Sequence, residues 1–137
     1  MQDLDVAKKI LRERNLSLVV VKEGKTLYES SSQGIRGLLR AIESLNKSLN
    51  QASVADKVVG RAAALLLAHS HIKDVYATII SSEGLRVLKA NRILVEHSIL
   101  VPQILDREGK NICPFERFSL TISSVDEAYE QLKAFTH

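Results

Sequence analysis

A chain of 137 residues fits one domain over residues 1–137, with room for a core that needs no disulfide or metal. With 45% hydrophobic, 26% charged and 4% aromatic residues and a net charge of +3 without any block of like charge, it lacks the basic face and stacking platform of a nucleic-acid binder. The lone cysteine, Cys113, excludes an internal disulfide and suits a cytoplasmic protein; the acidic start Met1-Gln2-Asp3 is no signal peptide, and no apolar run spans a membrane.

Asp5 to Arg14 predicts a helix, with Val6, Ile10 and Leu11 on one face and Asn15 as its C-cap. Leu16 to Val21 is rich in β-branched residues and predicts a strand. Glu23-Gly24 is a turn signal, and Lys25 to Glu29 returns as the second strand of a hairpin. A small polar loop, Ser30-Ser31-Ser32-Gln33-Gly34, leads into a helix over Ile35 to Leu49, with Leu38, Leu39, Ile42 and Leu45 on one side. The polar stretch from Asn46 to Ala52 interrupts that pattern.

Ser53 to Ala68 predicts the central helix. Ser53 stands three residues before Asp56, the spacing of a capping box. From Val58 onward only Gly60 and Arg61 interrupt small and apolar residues, so the helix should be covered on several sides. Beyond His69-Ser70-His71, Val75 to Ile80 predicts a strand, Glu83 to Ala90 a helix and Arg92 to Glu96 a further strand. Leu100 to Leu105 is apolar and broken by Pro102. Asp106 to Asn111 predicts a turn about Glu108-Gly109. A short strand is expected near Ser119 to Ile122, and Ser124, with Glu127 three residues on, should open a last helix through a second capping box. Strand, helix and strand in succession suit a parallel crossover. The predicted architecture is a three-layer α/β/α sandwich on a mixed sheet.

This order of elements is similar to the cytidine deaminase-like fold. In those enzymes the central helix opens with a His-or-Cys, Ala, Glu triplet and the next strand ends in Pro-Cys-x-x-Cys, which together supply zinc ligands and a proton-transferring Glu. At these places the chain reads Val54-Ala55-Asp56 and Ile80-Ser81-Ser82-Glu83-Gly84. Such residues cannot hold zinc, so no metal or other cofactor is expected. More closely, Ser53 to Gly60, the apolar helix after it, Ser31 to Gly37 and Cys113-Pro114-Phe115-Glu116 resemble an uncharacterised bacterial and archaeal family with this fold and no zinc motif. The resemblance implies a site at the start of the central helix and a nucleotide or nucleotide-derived ligand, such as one of the ADP-ribose kind.

The candidate ligand-binding residues are Ser32, Gly34, Ser53, Asp56, Lys57, Ser81, Ser82, Glu83, Cys113 and Glu116. Asp56 is either only the capping partner of Ser53 or a carboxylate able to bond a ribose hydroxyl. Lys57 and Arg61, one turn apart on a helix, form a solvated face or a clamp on phosphate. Gly60, placed inside a helix, costs about 1 kcal/mol against alanine and implies close packing. The Ser32–Gly34 loop lacks the P-loop signature but has the small residues of an anion cradle. Ser81, Ser82 and Glu83 lie at a strand's carboxyl end, where α/β folds bind ligands. Asp56 and Cys113 are the candidate nucleophiles if the protein is a metal-independent transferase. His69 and His71 read as helix-end residues that complement the dipole. The remaining alternative is a homo-oligomer subunit without a ligand.

Overall fold

The structure is a computed structural model that describes residues 1–136. Five strands form one sheet in the order β2-β1-β3-β4-β5. The hairpin β1 (Leu18–Lys22) and β2 (Lys25–Ser30) is antiparallel, and β1 also pairs antiparallel with β3 (Ser53–Val59). The strands β3, β4 (Asp74–Ser81) and β5 (Leu94–Val101) are parallel. The expected mixed sheet is therefore present. Glu23 and Gly24 both take positive φ at the hairpin turn, and the Asp3 carboxylate accepts from both of their N–H groups.

Side chains alternate across the pleat and so sort into two cores. Val19, Val21, Ala55 and Tyr76 face α1 (Asp3–Glu13), which presents Ala7 and Leu11. Leu18, Val20, Val54, Val75 and Ala77 face the other way, toward α2 (Arg36–Leu45), α3 (Arg61–His69) and α4 (Ser82–Ala90). Outside α3 pack α5 (Pro114–Ser119) and α6 (Val125–Phe135). A 3-10 turn over Asn46–Leu49 ends the region predicted as one helix to Leu49. No helix among the described residues is long and apolar enough to cross a membrane.

The main correction concerns the central element. Ser53–Val59 is a strand and the helix begins only at Arg61, with Gly60 as its N-cap. Ser53 is buried in the ladder opposite Val21 and Asp74, so it caps nothing, and the Ser53–Asp56 capping box does not exist. The physical reason is that a short apolar run rich in valine suits a buried strand as well as a buried helix, and only the pairing partners decide. The helix that remains has nine residues, of which Ala62 to Ala68 are all buried. A helix this short is marginal in isolation, so burial on all sides maintains it.

A second correction lies near the C-terminus. Ser119 to Ile122 is not a strand: Pro114 opens α5, Ser119 closes it, and Leu120 and Ile122 donate to the carbonyls of Arg117 and Ser119 in a following turn. Proline at the first helical position is pre-set for helix, whereas the β-branched residues at 121 and 122 mislead. Ser124 does cap α6, but its hydroxyl accepts from the Asp126 N–H at 3.2 Å. The backbone N–H of Glu127 goes to the Ser124 carbonyl instead.

Candidate functional site

A cavity of about 950 Å³ opens beside the carboxyl end of β3. Its walls are Ser31, Gln33 to Arg36, Asp56 to Val58, Gly60 and Ala63 at the start of α3, Ile104 to Glu108, and Cys113 to Glu116. Asn15 and Ser17 complete it. Clefts at the carboxyl ends of parallel strands are the usual ligand sites of open α/β sheets, because strand ends and helix starts converge there.

Asp56 stands at this wall because β3 pairs it with Leu18 on one side and Ala77 on the other. Its carboxyl accepts from the Val58 N–H at 3.3 Å, and no side chain donates to it among the described residues. Burial pushes its pKa up to about 7, against the lowering effect of the Val58 and Lys57 backbone N–H groups. A carboxyl held half-protonated near neutral pH can both donate and accept a hydrogen bond, or move a proton. Lys57, Arg36 and Arg107 bring cations to the same cavity, and the Arg36 guanidinium lies over the Phe115 ring at 5.9 Å.

The start of α3 is occupied by the chain itself. The Arg61 and Ala62 N–H groups donate to the two oxygens of Glu116 at 2.6 and 2.9 Å. Burial raises the Glu116 pKa, and the same two N–H groups and the Arg61 charge oppose that rise. Arg61 does not form a clamp with Lys57, since the two lie on different elements. Its guanidinium donates to the carbonyls of Ser119 and Ile122 at 3.1 and 2.9 Å and to Glu83 at 3.2 Å. The helix start and its first side chain together thus fix α5 and the turn after it.

Gly60 is explained by this contact. Its φ of −103° is open to any residue, so conformation does not demand glycine; space does. A Cβ there would stand 2.1 Å from a Glu116 oxygen. Gly84 is tight for a related reason: its Cβ would lie 2.9 Å from the Val59 carbonyl oxygen and 3.1 Å from that of Gly60.

The predicted residues fall into two groups. Gly34, Asp56, Lys57, Cys113 and Glu116 line the one cavity, with Cys113 half-buried. Ser32 is turned toward α2, where its hydroxyl accepts from Arg40 at 3.2 Å. Ser53, Ser81, Ser82 and Glu83 do not line it. Ser81 is the buried N-cap of α4 and accepts from the Gly84 N–H at 3.0 Å. The Ser82 hydroxyl reaches the Val101 carbonyl at 3.5 Å. Glu83 is held low in pKa by Arg86 first and Arg61 second. His69 bonds the Val125 carbonyl at 3.2 Å and stacks on Tyr129. Asp106, Arg107 and Glu108 were not visible as site residues in the sequence, whereas Arg36 and Phe115 lie within the Ser31–Gly37 and Cys113–Glu116 segments already singled out there. The Glu108-Gly109 turn signal predicts a bend there, but only the Leu105–Ile112 bridge and the fold of α5 set it against β3.

The family model for the domain of unknown function DUF1893 matches residues 6–136. The chain belongs to the DUF1893 family. A crystal structure of a DUF1893 family protein from Thermotoga maritima is similar to it with a TM-score of 0.88 and 26% identity, over 97% of this chain and 89% of that one. RibD from Acinetobacter baumannii is similar in fold, with a TM-score of 0.54 and 16% identity, over 70% of this chain but 34% of RibD. The dCMP deaminase of cyanophage S-TIM5, in complex with dCMP and dUMP, gives a TM-score of 0.51 and 15% identity over 69% of this chain and 92% of that one. No curated protein sequence matches the chain. This DUF1893 chain therefore has a cytidine deaminase-like fold.

The zinc set of that fold does not fit here. Because the central helix begins at Arg61, the triplet at its start falls on Gly60-Arg61-Ala62 and not on Val54-Ala55-Asp56. None of these side chains ligates zinc, and the Ser81–Gly84 segment offers only hydroxyls and one carboxylate. Among the described residues no three His, Cys, Asp or Glu side chains converge to hold a metal ion.

Two measurements check this geometry. In a double-mutant cycle by denaturant unfolding, Gly60→Ala should cost about 1–3 kcal/mol in the wild type by displacing Glu116, and close to nothing beside Glu116→Ala. An equal cost in both backgrounds would place the strain elsewhere. For Asp56, the raised pKa means that the folded state binds the proton more tightly than the unfolded one. Stability is fully present below the unfolded pKa of 3.8 and is lost as pH rises through the folded value near 7. Asp56→Asn should remove that loss and stabilise the protein at pH 8.5 by about 1–2 kcal/mol after solvent screening, with a smaller gain at pH 5.5.

Proposed function

We propose that this protein binds a nucleotide or nucleotide-derived ligand, of the ADP-ribose kind, in the cavity beside β3. The observation that carries the reading is a desolvated carboxyl, Asp56, without a side-chain partner among the described residues, in a cavity whose walls also carry the cations Lys57, Arg36 and Arg107. Such a pairing matches a molecule with ribose hydroxyls at one part and phosphate at another. The volume of about 950 Å³ accommodates a ligand larger than a free base. The nucleotides bound by the cyanophage deaminase support the ligand class by likeness of fold alone.

In this reading Asp56 bonds the ribose, the cations hold the phosphates, and the Phe115 face packs against a planar group. The start of α3 does not take the phosphate, because Glu116 already accepts from its N–H groups. Cys113 lines the same cavity, which supports a second reading in which the Cys113 thiolate or the Asp56 carboxylate attacks a carbon of the bound ligand, the new bond to sulfur or oxygen forming as the ligand's leaving group departs with the electron pair of the broken bond.

Native mass spectrometry of the purified protein, followed by denaturing spectra of the same sample, separates these readings. Mass lost on denaturation is a bound ligand; mass retained is an adduct, mapped to Cys113 or Asp56 by peptide analysis. Calorimetric titration with ADP-ribose, ADP and dCMP then measures affinity. Asp56→Asn and Lys57→Ala should each weaken binding about tenfold or more. A bare polypeptide mass together with no heat from any of the three compounds at millimolar concentration would overturn the proposal.

A further inference from the structure

We propose that β5 pairs antiparallel with β5 of a second copy of this chain, in the register that sets His97 opposite His97 of that copy. The two edges of the sheet differ in composition and regularity. The edge strand β2 reads Lys-Thr-Leu-Tyr-Glu-Ser, with charges and a register shift in its pairing with β1, the devices that keep an edge from pairing with another chain. The other edge, β5, reads Leu-Val-Glu-His-Ser-Ile-Leu-Val with no bulge, lysine or proline inside it. It carries Leu94 at 69%, Ile99 at 51% and Leu100 at 51% exposure, three large apolar side chains on one short strand.

The occupant follows from the register. The Leu94 N–H is turned inward, toward the Lys73 carbonyl, so along a regular strand Leu94, Glu96, Ser98 and Leu100 bond β4. Val95, His97 and Ile99 then turn their N–H and C=O groups outward. A two-fold axis through His97 makes those outward residues the hydrogen-bonded pairs, Val95 against Ile99 and His97 against itself. The same axis sets Leu94 against Leu100 of the other copy, and Glu96 against Ser98. Every exposed apolar residue of the strand meets an apolar one, no carboxylate meets a carboxylate, and Pro102 falls beyond the apolar pairs. Moving the axis to Ser98 would set Leu100 against Glu96, Ile99 against His97 and Leu94 against Pro102. Self-complementarity of this kind is the mark of a two-fold contact, and each alternating pair on both faces is satisfied at once. The inference rests on the sheet edge and is independent of the ligand reading.

The test is the oligomeric state of the full chain by light scattering on gel filtration and by analytical ultracentrifugation. The wild type should be a dimer at tens of micromolar, and a monomer at every concentration would overturn the proposal. Leu94→Glu and Leu100→Lys each change an exposed residue, and each alone should raise the dimer dissociation constant about tenfold or more. Mixing the two variants should restore a dimer, because Glu at 94 then faces Lys at 100 of the other copy. Unchanged dimers in the single variants, or no rescue on mixing, would refute the pairing. As an independent reading, His97→Cys in a Cys113→Ser background should form a disulfide dimer on oxidation, since directly opposed Cα atoms stand about 5.5 Å apart. Ser98→Cys in that background, offset diagonally at roughly 7–8 Å, should not; the reverse outcome would also refute the register.

Discussion

Two backbone N–H groups at the start of α3 donate to the Glu116 carboxylate, and the arrangement of the site depends on that contact. A helix buried along its length leaves its first N–H groups without water, and leaving them unpaired would cost more than any cap returns. Here the pairing group comes from α5, more than fifty positions later in the chain. It requires a residue without Cβ at Gly60, and it brings Cys113 and Phe115 to the cavity beside β3. Arg61 completes the join from the helix side by donating to the carbonyls that follow α5.

The same contact shapes what the cavity can do. Deaminase-like enzymes use the start of this helix for metal and proton transfer. In this chain the helix dipole and the free N–H groups are already matched by a carboxylate, so the region offers no vacant anion site there. The available chemistry shifts to the neighbouring strand end, where Asp56 and Lys57 share a cavity with Arg36 and Arg107. Asp56 has its pKa near neutrality because burial disfavours its charge and, among the described residues, no cation bonds it. A carboxyl with a cationic partner, such as Glu83 beside Arg86 and Arg61, moves the opposite way.

The two ends of the sheet also differ in kind. The β2 edge is polar and shielded, whereas β5 keeps leucine and isoleucine in water on a regular strand. Helix α1 covers β1, β3 and part of β4 and touches that edge through the ion pair of Lys8 with Glu96. Pairing with a further strand buries the apolar side chains of such an edge together with its free N–H and C=O groups.

The sequence by itself determined the hairpin, the α/β class and the strand and helix order apart from the central element and α5. Those features are local: period-two alternation, the Glu23-Gly24 turn and residue chemistry are complete within a few positions. It also pointed to Asp56, Lys57, Cys113 and Glu116, since charged and reactive residue types stand out among apolar ones. Tertiary structure alone decided that Ser53–Val59 is a strand, because an apolar valine-rich run satisfies either periodicity until its neighbours β1 and β4 supply ladder partners. It alone decided that Gly60 serves a helix start and not a helix middle. It also separated Ser81 and Glu83 from the cavity and joined Glu116 to α3, a contact between residues more than fifty positions apart that no local spacing encodes.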